Sequence, residues 1–182
     1  MKRQVFIASG LASIPVAARA AGVARVGLLL KGDDGATSAD VSLLETKLTG
    51  ALIATNRYSV FTRTQLAALV KEQGFSNSAY ADPATAAQLG KLAGVAQMLI
   101  GTLRISVTDD QGRFVLRRSV EADLDYQLVE VDTGRVLKAD SLSGSDETTA
   151  PAGGTFPRTV TDLRRKAIIS VVDSVAGALA PS

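Results

Sequence analysis

The strongest indication of the fold of this chain lies in residues 99–128, LIGTLRISVTDDQGRFVLRRSVEADLDYQL. Apolar and polar residues alternate in each half of it, which is typical of strands with one buried and one solvated face. Turn-forming residues separate the halves at Asp109-Asp110-Gln111-Gly112. The segment therefore predicts an antiparallel β-hairpin.

The chain before this hairpin alternates strands and helices. Residues 26–30 form a short apolar run typical of a buried strand, and residues 58–61 form a second. Residues 39–55 between them predict an amphipathic helix. Its apolar residues recur three or four positions apart: Val41, Leu44, Leu48 and Leu52.

Two further helices are predicted before the hairpin. Thr64 is a suitable N-cap for a helix over residues 65–73. Asp82 and Pro83 are typical of the start of another helix, which runs to Ala93 and ends at Gly94.

The chain after the hairpin predicts one more strand and one more helix. Asp132-Thr133-Gly134 predicts a turn into a strand from Arg135 to about Leu142. Residues 143–158 are rich in Gly, Pro and Thr and predict a loop, whereas apolar residues at helical spacing predict a helix over residues 159–179. The fold class is therefore α/β: a single domain over residues 21–182, with a core at 24–143 and helices packed on a mixed sheet. The predicted order is β-α-β-α-α-β-β-β-α.

The amino-acid composition excludes several kinds of enzyme. Among 182 residues there is no Cys, His or Trp. No Ser-His-Asp or Cys-His catalytic site can therefore form, and the usual ligands of zinc, haem and iron–sulfur clusters are missing. The composition still allows a carboxylate site for Ca²⁺ or Mg²⁺, or an enzyme that uses carboxylates or Lys and Ser. We nevertheless expect no catalytic residue, no cofactor-binding residue and no metal-ligating residue.

The first 20 residues have the pattern of a cleaved signal peptide. Lys2 and Arg3 precede an uncharged apolar run, and Ala18-Arg19-Ala20 is a typical cleavage site. The apolar run is shorter than the ~20 residues that a membrane span needs. We expect cleavage after Ala20 and a periplasmic mature protein, associated with the outer membrane only through its partners.

Removal of this leader changes the charge balance. The chain has 20 basic and 18 acidic residues, and cleavage removes three basic ones, Lys2, Arg3 and Arg19. The remaining 17 positive charges do not exceed the acidic ones and form no basic patch. We therefore expect no nucleic-acid partner. The mature sequence has no run of 18 apolar residues, so we also expect no transmembrane helix. Membrane insertion by the hairpin is disfavoured by Arg118 on its apolar side.

Three acidic segments are candidates for chemistry, and a structural interpretation is favoured for each. Asp132-Thr133-Gly134 matches the tripeptide of aspartic proteases, but the sequence holds no second copy and the flanking residues predict a hairpin turn. Asp33-Asp34 follows the first strand, where α/β proteins place ligand sites, and two adjacent carboxylates could hold a hard cation; yet the segment lacks the spacing of a known cation loop. Asp109-Asp110 is interpreted as the tip of the hairpin.

Three segments resemble the CsgG family. Residues 58–63 (YSVFTR), with Leu66, Leu69 and Glu72-Gln73 after them, are similar to the strand, Arg and helix of that family. Residues 86–95 (AAQLGKLAGV) with 98–103 (MLIGTL) resemble its most recognisable block, and residues 129–136 (VEVDTGRV) are similar to a later strand and turn. The resemblance covers about residues 26–143.

The resemblance implies a non-enzymatic periplasmic domain that binds partner proteins. The family includes the curli secretion channel and the related domain of the penicillin-binding protein activator LpoB. We therefore expect docking in cell-envelope assembly or in secretion of a surface polymer, with envelope proteins as partners and homo-oligomerisation left open.

Two alternatives remain. One is a ring-forming subunit of a curli-type outer-membrane secretion channel. Against it, the chain has no Cys to carry a lipid, residues 32–38 have no aromatic side chain, and the predicted loop after Leu142 leaves no second long hairpin. In the remaining hairpin, Arg118 lies on the apolar side, where a bilayer would disfavour it.

The second alternative, a carboxylate-dependent hydrolase that uses Asp33 or Asp132, lacks a paired acid.

Overall fold

The computed structural model describes residues 23–61, 66 and 82–179. The described part forms a mixed α/β domain with five strands and three helices. These are β1 (Ala24–Gly32), α1 (Ser38–Ala54), β2 (Tyr58–Phe61), α2 (Pro83–Ala93), β3 (Gln97–Gln111), β4 (Val115–Glu130), β5 (Val136–Pro151) and α3 (Val160–Leu179). The predicted signal peptide and most of the predicted helix 65–73 lie outside the described residues.

One five-stranded sheet organises the domain, with the strand order β2-β1-β3-β4-β5. β1 pairs in parallel with β2 and β3, whereas β3, β4 and β5 form two successive antiparallel hairpins. The predicted mixed sheet is therefore confirmed.

The predicted start and end of α2 are confirmed, while the predicted N-cap Thr64 lies outside the described residues. Asp82 accepts hydrogen bonds from the N–H groups of Ala84 and Thr85 at the start of α2, and Gly94 ends the helix with φ at +63°. At the start of α1, Thr37 and Asp40 exchange hydrogen bonds in a capping box.

The predicted loop over residues 143–158 is wrong for its first half. β5 continues to Pro151, and its pairing with β4 extends to Val115. Composition suggested a loop, but long-range pairing with β4 supplies the backbone partners that keep this segment extended. The chain therefore has a second long hairpin, β4–β5, and the objection to a channel subunit that rested on its absence does not hold.

The two sides of the sheet are covered differently. α1 and α3 pack on one side over the larger apolar cluster, which includes Leu44, Leu103, Leu124 and Val171. On the other side, the described residues that pack on the sheet are those of α2 and Leu66, over Met98, Ile100 and Val129 at the end away from the β3–β4 turn. In the halves of β3, β4 and β5 nearest the β3–β4 turn, one face therefore lies beneath α3, and no helix of the described residues covers the opposite face.

Candidate functional site

The Asp33-Asp34 segment is part of the fold's framework. The N–H of Asp33 donates to Leu103 O over 2.9 Å, and Asp34 O accepts from the N–H of Ile105 over 3.0 Å. The turn presses on β3 so closely that a Cβ on Gly35 would lie 2.2 Å from Ile105 O. These contacts support the structural interpretation of the two carboxylates.

Asp109 lies near the tip of the β3–β4 hairpin, where Arg118 binds its carboxylate through two nitrogens. The hydrogen bond from Arg118 lowers the pKa of Asp109. The Arg118 guanidinium also lies 4.5 Å from the centre of the Phe156 ring. Arg118 lies on the apolar side of the hairpin, as the sequence predicts, and Asp109 and Phe156 are its partners there.

Asp132-Thr133-Gly134 forms the turn that the sequence predicts. The N–H of Gly134 donates to Glu130 O over 2.9 Å, and the Thr133 hydroxyl donates to the Glu130 carboxylate over 2.6 Å. Gly134 has φ at +69°, which favours glycine. Across the described residues, no group of three or more acidic side chains could hold a metal ion.

The side of β3, β4 and β5 that no described helix covers is a broad surface, which we call the open face. Five rows of paired residues form it, and nearly all its side chains are polar. From the α2 end to the hairpin tip, the rows are Thr102/Asp125/Ser141, Arg104/Asp123/Ser143, Ser106/Glu121/Ser145, Thr108/Ser119/Glu147 and Asp110/Arg117/Thr149. The sequence analysis missed the β5 part of this face because it predicted a loop there.

The charges of the open face are unevenly paired. Arg104 forms an ion pair with Asp125 at 2.7 Å, and Arg117 forms one with Glu147. Glu121 and Asp123 form no ion pair among the described residues, although Arg104 lies opposite Asp123 in the sheet register. The open face holds two cations, Arg104 and Arg117, and five carboxylates, so its net charge is negative. The carboxylates are those of Asp110, Glu121, Asp123, Asp125 and Glu147.

A pocket of about 350 Å³ lies at the α2 end of the open face, lined by Thr102, Asp125, Gln127 and Ser141 among others. The Gln127 side-chain oxygen is shielded from solvent and accepts no hydrogen bond from the described residues. Below it, burial and the charge of Asp140 raise the pKa of Tyr126. The pocket therefore offers hydrogen-bond acceptors to a ligand that carries donors.

The hairpin tip adds an apolar element to this surface. Phe114 is 76% exposed and Val115 is 50% exposed. Arg113 lies 5.7 Å from the centre of the Phe114 ring. Aromatic and Arg side chains that are exposed together are typical of protein-binding surfaces.

Comparison with known families identifies part of the chain. Residues 35–106 match the sequence model of the family described as curli production assembly/transport component CsgG. This segment starts in the loop after β1 and ends within β3. The later segment, residues 129–136, which also resembles the family, lies outside the match. A search of curated proteins finds no match to the chain.

Several solved structures are similar to the chain at low sequence identity. The hypothetical protein CT253 from Chlamydia trachomatis is 13% identical, with a TM-score of 0.53 over 85% of this chain and 96% of that one. Lipoprotein GNA1162 from Neisseria meningitidis is 18% identical, with a TM-score of 0.47 over 87% of this chain and 99% of that one. The LpoB C-terminal domain from Escherichia coli is 14% identical, with a TM-score of 0.45 over 66% of this chain and 82% of that one.

In the part of the chain that the structure describes, no helix is both long and apolar enough to cross a membrane. The sheet order, the family match and the similarity to CT253 agree on the type of domain. The predicted resemblance to the CsgG family is thus confirmed over residues 35–106, within a single mixed α/β domain.

Proposed function

We propose that this chain is a non-enzymatic periplasmic protein that docks to partner proteins during cell-envelope assembly or secretion of a surface polymer. The observation that carries the proposal is the open face. It is a broad polar surface on a three-stranded part of the sheet, and it ends in the exposed Phe114. The CsgG match over residues 35–106 supports a role in the envelope. Cleavage after Ala20 would deliver the mature chain to the periplasm.

A photo-crosslinking amino acid at Ser119 tests the proposal, because Ser119 lies on the open face between β3 and β5. The same group at Asp173, which is exposed on α3, is the matched control. We expect illumination of intact cells to give a defined protein adduct from position 119 and none of the same mass from position 173. Identical adducts from both positions, or none from position 119, would contradict docking through this face.

The second candidate function is a ring-forming subunit of a secretion channel, and the observed second hairpin favours it. β3, β4 and β5 have 15, 16 and 16 residues. Against this candidate, α3 packs on the apolar side of β4 and β5. Discrete single-channel steps from the purified protein in planar bilayers would establish the channel function in place of docking.

A further inference from the structure

β5 forms one edge of the sheet, and its backbone groups alternate in direction. Just beyond its end, the N–H of Ala152 donates to Phe114 O over 3.0 Å, so even-numbered residues face β4. The odd-numbered residues face outward. The N–H of Ser141 donates to the Asp140 carboxylate over 3.0 Å, and Glu147 O accepts from Arg158 over 3.4 Å.

Between these two positions the edge is open. Ser143 and Ser145 are exposed, and no hydrogen bond from the described residues reaches their outward N–H and C=O groups. The partners at Ser141 and Glu147 protect the two flanks of the edge, as is usual for edge strands. The unprotected centre therefore presents four backbone groups to an added strand.

The carboxylates of Glu121 and Asp123 lie directly behind this open centre. In the sheet register, Asp123 is opposite Ser143 and Glu121 is opposite Ser145. Neighbouring strands are about 4.8 Å apart, so the side chain of an added strand must cross β5 to reach them. Serine side chains are short enough to leave that path clear, and Lys and Arg are long enough to follow it.

We propose that an extended, basic segment of a partner protein adds to β5 at Ser143–Ser145 as a sixth strand. Its backbone bonds to the open edge, and its alternate Lys or Arg side chains reach Glu121 and Asp123 across the serines. The next basic side chain reaches the pocket that holds the Gln127 oxygen. This inference rests on the proposed docking function and names both the surface and the chemistry of the partner.

A second copy of this chain fits the edge less well. β2, the other edge strand, has the uncharged sequence Tyr58–Phe61. A second β5 would bring its own Glu147 to the same face as Glu121 and Asp123, where it adds charge of the same sign. Charge complementarity therefore favours a different, basic partner.

The probe for this site is a fluorescent, end-blocked peptide, Thr-Lys-Val-Lys-Val-Lys-Thr, which has Lys at alternate positions. Its counterpart carries Glu in place of each Lys. We expect the Lys peptide to bind the purified protein in a fluorescence polarisation assay and the Glu peptide not to bind. Equal binding of the two peptides, or no binding of the Lys peptide, would refute the inference.

Two variants locate the binding. Glu121→Gln with Asp123→Asn should weaken binding of the Lys peptide at least ten-fold. The matched control, Asp34→Asn with Asp132→Asn, removes the same charge from exposed turns and should change binding less than two-fold. Equal weakening by both double variants would mean that overall charge governs binding of the peptide, and it would refute binding at Glu121 and Asp123.

Ser143→Pro tests the edge itself. Proline removes an outward N–H without removing a bond to β4, so the sheet should persist, as circular dichroism can check. Binding of the Lys peptide should be lost. If the parent sediments as a dimer and Ser143→Pro as a monomer, a second copy occupies the edge and the inference is wrong. If Ser143→Pro leaves the Ser119 adduct unchanged, this inference falls while the docking function stands.

Discussion

At the residue scale, Gly90 shows how one missing side chain sets the distance between a helix and the sheet. A Cβ at this position would lie 2.4 Å from Val131 Cγ2 and 2.9 Å from Met98 Cγ. Both neighbours belong to the apolar cluster beneath α2, and valine has few rotamers to escape into. Only glycine lets α2 approach β3 this closely.

Gly90→Ala should therefore destabilise the domain. Overpacking of this kind costs about 1–3 kcal/mol, more than the gain in helix propensity from alanine. The control is Gly50→Ala in α1, where a Cβ meets nothing within 4 Å, and which should gain about 0.5–1 kcal/mol. Urea unfolding measures both variants. A Gly90→Ala variant as stable as Gly50→Ala would show that α2 shifts freely.

Caps and turns that act locally could be predicted from the sequence, whereas contacts between distant residues could not. The caps Asp82 and Gly94 and the turn at Gly134 were predictable because they act through their own backbone neighbours. The partner of Arg118 was not, because Asp109 and Phe156 meet it only after the hairpin and the segment before α3 have folded together.

At the element scale, β5 is the strand that composition concealed. Ser, Gly and Thr at residues 143–149 predict a loop when they are considered alone. In the sheet, Gly144 lets α3 pack closely on β5, because a Cβ there would lie 2.4 Å from Ala167 O. Thr148 is buried in the same strand. The open face depends on this strand, so the candidate surface could be predicted only in its β3 and β4 part.

Asp146 and Arg158 connect β5 to the segment that leads into α3. The hydrogen bond from Arg158 lowers the pKa of Asp146 below its ordinary value of 3.8. Because the native pKa is the lower one, the pair stabilises the fold above about pH 3.8. That contribution is lost as the pH falls through the native pKa.

Arg158→Gln should therefore lower the unfolding free energy at pH 7, and its difference from the parent should shrink as the pH falls below 3.8. Urea unfolding of both proteins across this pH range measures the difference. Arg113→Gln at the exposed hairpin tip is the control and should show no such trend. A difference that stays constant with pH would mean that the Asp146–Arg158 pair does not stabilise the fold.

At the scale of the whole domain, one side of the sheet forms the core and the other is the surface that we propose for docking. α1 and α3 bury one side in a continuous apolar cluster, while the open face of β3–β5 stays polar. The alternation within residues 99–128 predicts this division, because each strand carries one apolar and one polar side. The assignment of the helix-covered side could also be made, since apolar residues recur at helical spacing along α3.

Val171 tests that division, because it is fully buried between α3 and the sheet. Val171→Asp would place a carboxylate among apolar side chains with no partner, at a cost of about 3–5 kcal/mol. In a domain of this size, 1 kcal/mol corresponds to a shift of roughly 2–4 °C in the melting temperature. The variant should melt about ten degrees lower or fail to fold.

Ile53→Asp introduces the same group on α1 at a side chain that is 52% exposed, and should melt within a few degrees of the parent. If the two variants melted together, α3 would not be the cover of the sheet, and the apolar side of β4 and β5 would be free to serve as a second binding surface.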